Sequence, residues 1–136
     1  MAPSQTRKKK ILILDDEPSA RTYLQALLDD NGYETSVACD GKEGIEKARK
    51  EKPDLVTLDI SMPEESGVRF YRELKEDPEM AKTPVVIVTA VTGAGGDPEG
   101  FRKFISSRRH VPSPEGFISK PIDRDEFLNA VRKALA

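Results

Sequence analysis

The 136-residue chain predicts a three-layer α/β domain built on a five-stranded parallel sheet, and three observations carry that expectation. Short runs of consecutive apolar residues recur along the chain. Segments with helical apolar spacing lie between them, and the two kinds of segment alternate from residue 11 to the C-terminus. A strand that is apolar at successive positions suits a sheet covered on both faces, and right-handed β-α-β crossovers supply that cover.

The first strand is Ile11-Leu-Ile-Leu14. Pro18 then opens a helix in which Ala20, Tyr23, Leu24, Leu27 and Leu28 follow i, i+3, i+4, i+7, i+8 spacing and so form one inward stripe, with Asn31-Gly32 as its stop. The next strand, Tyr33–Ala38, alternates more and reads as an outer strand; Cys39 beside it is expected to be a small packing residue. Gly41–Lys50 carries Ile45 and Ala48 inward and ends before Pro53. Leu55-Val-Thr-Leu58 is the third strand, and Gly67–Glu76 a helix with Val68, Tyr71 and Leu74 on its buried side. Pro84 introduces Val85-Val-Ile-Val88, a β-branched run. Asp97 and Pro98 suggest a further helix N-terminus, as cap and first position. Gly116-Phe-Ile-Ser119 is the fifth strand, and a helix from about Asp123 places Phe127, Ala130, Val131, Ala134 and Leu135 on one stripe. Residues 1–8 are expected to form a loose basic tail ahead of one domain at 9–136, without internal repeats.

Composition narrows the class. Hydrophobic residues at 37% with charged residues at 34% fit a globular chain and argue against both disorder and a membrane protein. No apolar run approaches the roughly 18 residues that cross a bilayer. Ile11–Leu14 is far shorter than a signal-peptide core, and one cysteine cannot form an internal disulfide, so a reducing cytoplasm is the expected setting. With 22 basic residues against 24 acidic ones, the net charge of −2 gives no global attraction to nucleic acid or membranes. Arg7–Lys10 with Arg102, Lys103, Arg108 and Arg109 come without an aromatic platform or a DNA-reading helix, so nucleic acid is not expected as a partner. His110, alone in a basic loop, reads as solvated.

Ligand sites in such sheets lie beyond the carboxyl ends of the strands. Those ends carry Asp15-Asp16-Glu17, Asp59, Thr89-Ala90 and Lys120-Pro121. Carboxylates crowded at one rim repel one another, and a hard divalent cation with oxygen ligands, Mg²⁺ above all, relieves that repulsion. Beside such a cation a free carboxylate can attack a phosphoryl group, with a lysine as a second positive clamp. Asp59 stands alone at its strand end and is the better nucleophile; Asp15 and Asp16 can share the metal. A solvated acidic cluster that merely favours the next helix dipole is the plainer alternative.

These pieces together resemble the receiver domain of two-component response regulators, of the stand-alone, chemotaxis-receiver kind, over nearly everything from Lys9 to Ala136. The matching segments are Ile11–Pro18, Asp40-Gly41, Pro53–Pro63 with Gly67, Pro84–Ala90 and Lys120-Pro121. The resemblance implies a flavodoxin-like doubly wound sheet of strand order 2-1-3-4-5. It also implies that Asp59 accepts a phosphoryl group from a histidine kinase or histidine phosphotransfer protein. Asp15, Asp16, Asp59 and the backbone carbonyl of Ser61 would hold Mg²⁺, Thr89 would hydrogen-bond the phosphoryl group, Ala90 would leave it room, and Lys120 would pair with it. Thr89 and Phe117 would form the switch, although an aromatic in a strand also serves as plain core. The Lys120-Pro121 bond is expected to be cis, and Ser61 and Val91 to flank the path of water. The output would be contact with a downstream protein, as a monomer or a phosphorylation-dependent dimer, with no membrane involved and no catalysis beyond the domain's own phosphorylation and dephosphorylation.

Thr89 and Lys120 lie 31 positions apart, longer than the family usually takes, and the extra length falls around Ser106–Gly116. Gly93–Gly96 reads as a hinge, since no P-loop lysine follows it. A phosphorylation-independent interaction module on the same fold is the main rival reading. An aspartyl-phosphate phosphatase is a weaker one, because the acids at the first strand are adjacent and not spaced Asp-x-Asp.

Overall fold

The computed structural model describes residues 8–59, 66–90 and 114–136. Its elements are β1 (Lys10–Leu14), α1 (Pro18–Asp30), β2 (Glu34–Ala38), α2 (Gly41–Glu51), β3 (Leu55–Leu58), α3 (Ser66–Glu76), β4 (Val85–Ala90), β5 (Gly116–Lys120) and α4 (Arg124–Leu135). All strand pairs are parallel, as the apolar runs predict, and their order is β2-β1-β3-β4-β5, as the resemblance to receiver domains implies. The helix expected at Asp97-Pro98, the hinge expected at Gly93–Gly96, Val91, Ser61 and His110 lie outside the described residues.

Period-two alternation along consecutively apolar strands divides the core in two. Leu12 and Leu14 of β1, Val56 and Leu58 of β3, and Val85 and Ile87 of β4 face α2 and α3, where they meet Ile45, Ala48, Phe70, Tyr71 and Leu74. Ile11, Ile13, Leu55, Val86, Val88 and Ile118 face the other way, against Leu24, Leu27 and Leu28 of α1 and Phe127, Leu128 and Val131 of α4.

Local chemistry fixes the helix ends. Asp40 caps α2 by accepting from the Glu43 amide at 2.8 Å, and Glu43 reaches back to the Cys39 amide at 2.8 Å. Asp123 caps α4 through the Glu126 amide at 3.0 Å. At the end of α1, Gly32 takes the left-handed φ of 89° that a glycine adopts without strain, while the Gly32 and Tyr33 amides satisfy the last carbonyls.

Two sequence expectations need correction. Tyr23 is 46% exposed, because the three leucines 24, 27 and 28 define the buried arc of α1 and leave Tyr23 at its margin. Cys39 is exposed and not a packing residue, since the strand ends one residue before it. The structure also buries Phe70, which the stripe reading passed over. Its ring occupies space left by Gly44, where an added Cβ would stand 3.0 Å from Leu14 Cδ2 and 3.1 Å from Phe70 Cε1. Gly44→Val therefore forces α2 away from the sheet, and thermal unfolding should show a loss of about 1–3 kcal/mol.

Thr57 in β3 is buried, and its hydroxyl finds no hydrogen-bond partner among the described residues. An orphaned buried hydroxyl costs free energy that a methyl group does not. Thr57→Val should stabilise the fold by about 1 kcal/mol, read as a higher midpoint in chemical denaturation; a lower midpoint would mean that the hydroxyl is satisfied. Lys75 is buried too, with its ammonium donating to the carbonyls of Ala81 at 3.2 Å and Thr83 at 2.7 Å above the Tyr71 ring, and burial lowers its pKa.

Candidate functional site

The strand register brings the carboxyl ends to one rim. Leu14 of β1 lies beside Leu58 of β3, so the next residues, Asp15 and Asp59, are neighbours, and the Asp59 amide donates to the Leu14 carbonyl at 3.0 Å. On the other side of β4, Ala90 pairs with Lys120 and Thr89 with Ser119, which sets Thr89 and Ala90 at the same end of the sheet. Asp15 and Asp59 continue the alternation of Ile11-Ile13 and Leu55-Thr57, and Lys120 that of Ile118. The three therefore emerge on the α1/α4 side of the rim.

Asp15 is 1% exposed and Asp59 3%, whereas Asp16 is exposed. One ligand oxygen from each of the three lies within 4.8 Å of the others. Lys120 bridges the buried pair, with Nζ 3.2 Å from Asp15 Oδ2 and 3.4 Å from Asp59 Oδ2, and Glu17 Oε1 stands 3.8 Å from the same ammonium. The peptide between Lys120 and Pro121 is cis.

Among the described residues, the electrostatics are those of an acid-rich rim with one internal cation, Lys120. Burial raises the Asp15 carboxyl to about 6; the Glu17 amide, donating to Asp15 Oδ1 at 2.9 Å, opposes this, the nearby Asp59 adds to it, and Lys120 opposes it. Burial works against the Lys120 ammonium, but Asp59 and Asp15 outweigh that effect and hold its pKa above the ordinary lysine value.

The donor set fits a hard divalent cation. Among the described residues, three carboxylates face a single ammonium and their oxygens are close enough to share one ion, with Asp16 open to solvent. Ser61, whose carbonyl is the fourth expected ligand, lies outside the described residues. Phe117 is half-buried in β5 beside Ile87 and packs against the α2/α3 core.

Sequence reasoning missed Arg21, whose guanidinium donates to the Asp15 carbonyl at 2.7 Å. Its only sequence signal is a basic residue in the first turn of a helix, which by itself points nowhere.

A family model for the response regulator receiver domain matches residues 11–132. The protein PilH of Pseudomonas aeruginosa is 33% identical over 127 residues, which are 93% of this chain and 98% of that one. The polar-differentiation response regulator DivK of Brucella anthropi is likewise 33% identical over 127 residues, covering 93% of this chain and 96% of its own. Among solved structures, the chemotaxis protein CheY4 of Vibrio cholerae superposes with a TM-score of 0.81 at 28% identity, over 95% of this chain and all of that one. The receiver domain of the sensor histidine kinase PA1611 of P. aeruginosa, solved with a magnesium ion coordinated in its active site cleft, shares the fold at a TM-score of 0.79 and 22% identity, over 95% of this chain and 98% of that one.

Proposed function

The chain belongs to the response regulator receiver domain family, and we propose that Asp59 is its phosphoacceptor, taking a phosphoryl group from a histidine kinase or a histidine phosphotransfer protein in the cytoplasm. Receiver domains are phosphorylatable switches of two-component signalling that bind Mg²⁺ and act through other proteins; no helix among the described residues is long and apolar enough to cross a membrane. The observation that carries the residue assignment is the buried Asp59 carboxylate at the end of β3, 3.4 Å from Lys120 Nζ and within reach of Asp15 and Asp16.

Asp15, Asp16 and Asp59, with the backbone carbonyl of Ser61, hold Mg²⁺ in this reading. When bound, the cation neutralises charge on the phosphoryl oxygens and lets an anionic nucleophile approach them. A carboxylate oxygen of Asp59 attacks phosphorus as the phosphorus–nitrogen bond to the donor histidine breaks. The electron pair of that bond leaves with the imidazole, and an acyl phosphate forms on Asp59. Lys120, already placed against Asp59, turns its ammonium from carboxylate to phosphoryl oxygen. The Thr89 hydroxyl donates a hydrogen bond to the phosphoryl group and Ala90 leaves space for it. Phe117 follows Thr89 in shifting a two-state equilibrium on the β4–β5 side. The acyl phosphate carries about −1.5 to −2 charges where the Asp59 carboxylate carried one, so the rim gains up to about one negative charge and, among the described residues, meets it with the Lys120 ammonium.

Reduction of the phosphorylated protein with borohydride, followed by peptide mapping, tests the assignment. Homoserine at position 59 is the expected product; homoserine at position 15 or 16 would move the acceptor to β1.

A further inference from the structure

The β1–α1 turn that carries the two adjacent aspartates is held at four points. The Asp15 amide donates to the Ala38 carbonyl at 3.2 Å, the Glu17 amide to Asp15 Oδ1 at 2.9 Å, and the Arg21 amide to the Glu17 carbonyl at 3.1 Å. The fourth is Arg21 Nη1, which donates to the Asp15 carbonyl at 2.7 Å. From this geometry we infer that Arg21 is a positioning residue for the metal-binding carboxylates, one that fixes the peptide plane between Asp15 and Asp16 and so aims Asp16 at the ion. The inference rests on the reading of Asp15, Asp16 and Asp59 as the Mg²⁺ site.

The Asp15 carbonyl belongs to the peptide that joins the two aspartates, so its direction decides where the Asp16 side chain leaves the chain. Asp15 is buried and carries ladder, amide and lysine contacts of its own, whereas Asp16 is exposed, two residues past the end of β1. A charge-assisted bond from a planar guanidinium constrains such a carbonyl more tightly than water does.

Two further features fit a role at the site better than a role in the helix. Arg21 sits in the first turn of α1, where the macrodipole disfavours a cation; the acids that offset the dipole, Glu17 at the N-cap with Asp15 and Asp16 before it, belong to the acidic turn itself and not to the helix. Among the described residues, Arg21 bonds the backbone of the acidic turn without forming an ion pair to its carboxylates. Arg21 itself therefore occupies none of the oxygens that would meet the metal.

The test is a Mg²⁺ titration of ¹⁵N-labelled protein followed at the Asp16 and Glu17 amides, for wild type, Arg21→Ala, Arg21→Gln and Arg21→Lys, with melting temperatures in EDTA alongside. Arg21→Ala should weaken Mg²⁺ binding about tenfold while the metal-free melting temperature barely moves, as expected for the loss of a group that orients a metal ligand. Arg21→Lys should recover most of the affinity, and Arg21→Gln, which keeps an N–H donor without charge, only part of it. A Kd for Arg21→Ala within about twofold of wild type would overturn the inference, a difference of about 0.4 kcal/mol being no positioning effect. A drop in metal-free stability that accounts for the weaker binding, unrescued by Arg21→Lys, would also overturn it. A wild type that shows no saturable shift with Mg²⁺ would instead bring down the metal-site reading itself, and this inference with it.

Discussion

Asp59→Asn should abolish phosphoryl incorporation and, in the same protein, raise the melting temperature measured in EDTA. The first effect follows from the chemistry: an amide is no nucleophile toward phosphorus under conditions in which a carboxylate reacts. The second follows from the charges. In the metal-free rim two buried carboxylates share one ammonium at 3.2 and 3.4 Å, with Asp16 close by. Removing one negative charge leaves Lys120 and Asp15 as a matched pair and removes the repulsion that helps to raise the Asp15 carboxyl. The asparagine keeps the shape of the side chain, so packing changes little. A gain of about 1 kcal/mol corresponds to a shift of roughly 3 °C for a domain of this size. Calorimetry in EDTA checks the sign; a lower melting temperature would mean that the Lys120–Asp59 pair outweighs the repulsion between the acids.

Lys120→Met should act in the opposite direction and should change the response to Mg²⁺. Loss of one partner from a buried ion pair leaves the other as an uncompensated charge, at a cost of about 3–5 kcal/mol when burial is complete. The Lys120 side chain is 20% exposed, and Asp15 is already inclined to take up a proton, so the loss is better placed at about 2 kcal/mol. Mg²⁺ stabilises whichever state binds it, by about 2.7 kcal/mol at a concentration of 100 Kd. In wild type the ion must displace an ammonium from both carboxylates, whereas in Lys120→Met it meets no competitor. The Mg²⁺-induced rise in melting temperature should therefore be larger in Lys120→Met than in wild type. It should vanish in Asp16→Ala/Asp59→Asn; persistence there would place the ion elsewhere.

The rim was legible in the sequence because its ingredients are simple ones. Ile11–Leu14 and Leu55–Leu58 announce parallel strands, parallel strands share one carboxyl end, and the residues at those ends are Asp15, Asp59 and Lys120. The strand order required the resemblance to receiver domains, since apolar runs say which segments are strands and not which of them are neighbours. The difference between Asp15 and Asp16 was not legible. Two adjacent aspartates look alike until the register of β1 against β3 buries one and leaves the other in solvent. Tyr23 shows the same limit on a helix, because periodicity defines an arc and packing decides where its margin falls. Phe70 could not be placed without knowing that Gly44, on another helix, leaves room for its ring. Arg21 was hidden because its partner is a backbone carbonyl, which no side-chain pattern records. Ser61, Val91 and the long stretch between β4 and β5 lie outside the described residues, and the reading of that stretch stays one of sequence alone.

The central claim is that Asp59 takes up a phosphoryl group at a Mg²⁺-dependent rim. Intact-mass analysis after incubation with a small acyl-phosphate donor, with Mg²⁺ and with EDTA, tests it most directly; the chain has no tryptophan to report the change optically, and mass counts the adduct itself. The expected result is a single phosphoryl adduct that forms with Mg²⁺, is lost in EDTA and is absent from Asp59→Asn. An adduct that persists in Asp59→Asn, or that forms equally well in EDTA, would contradict the account.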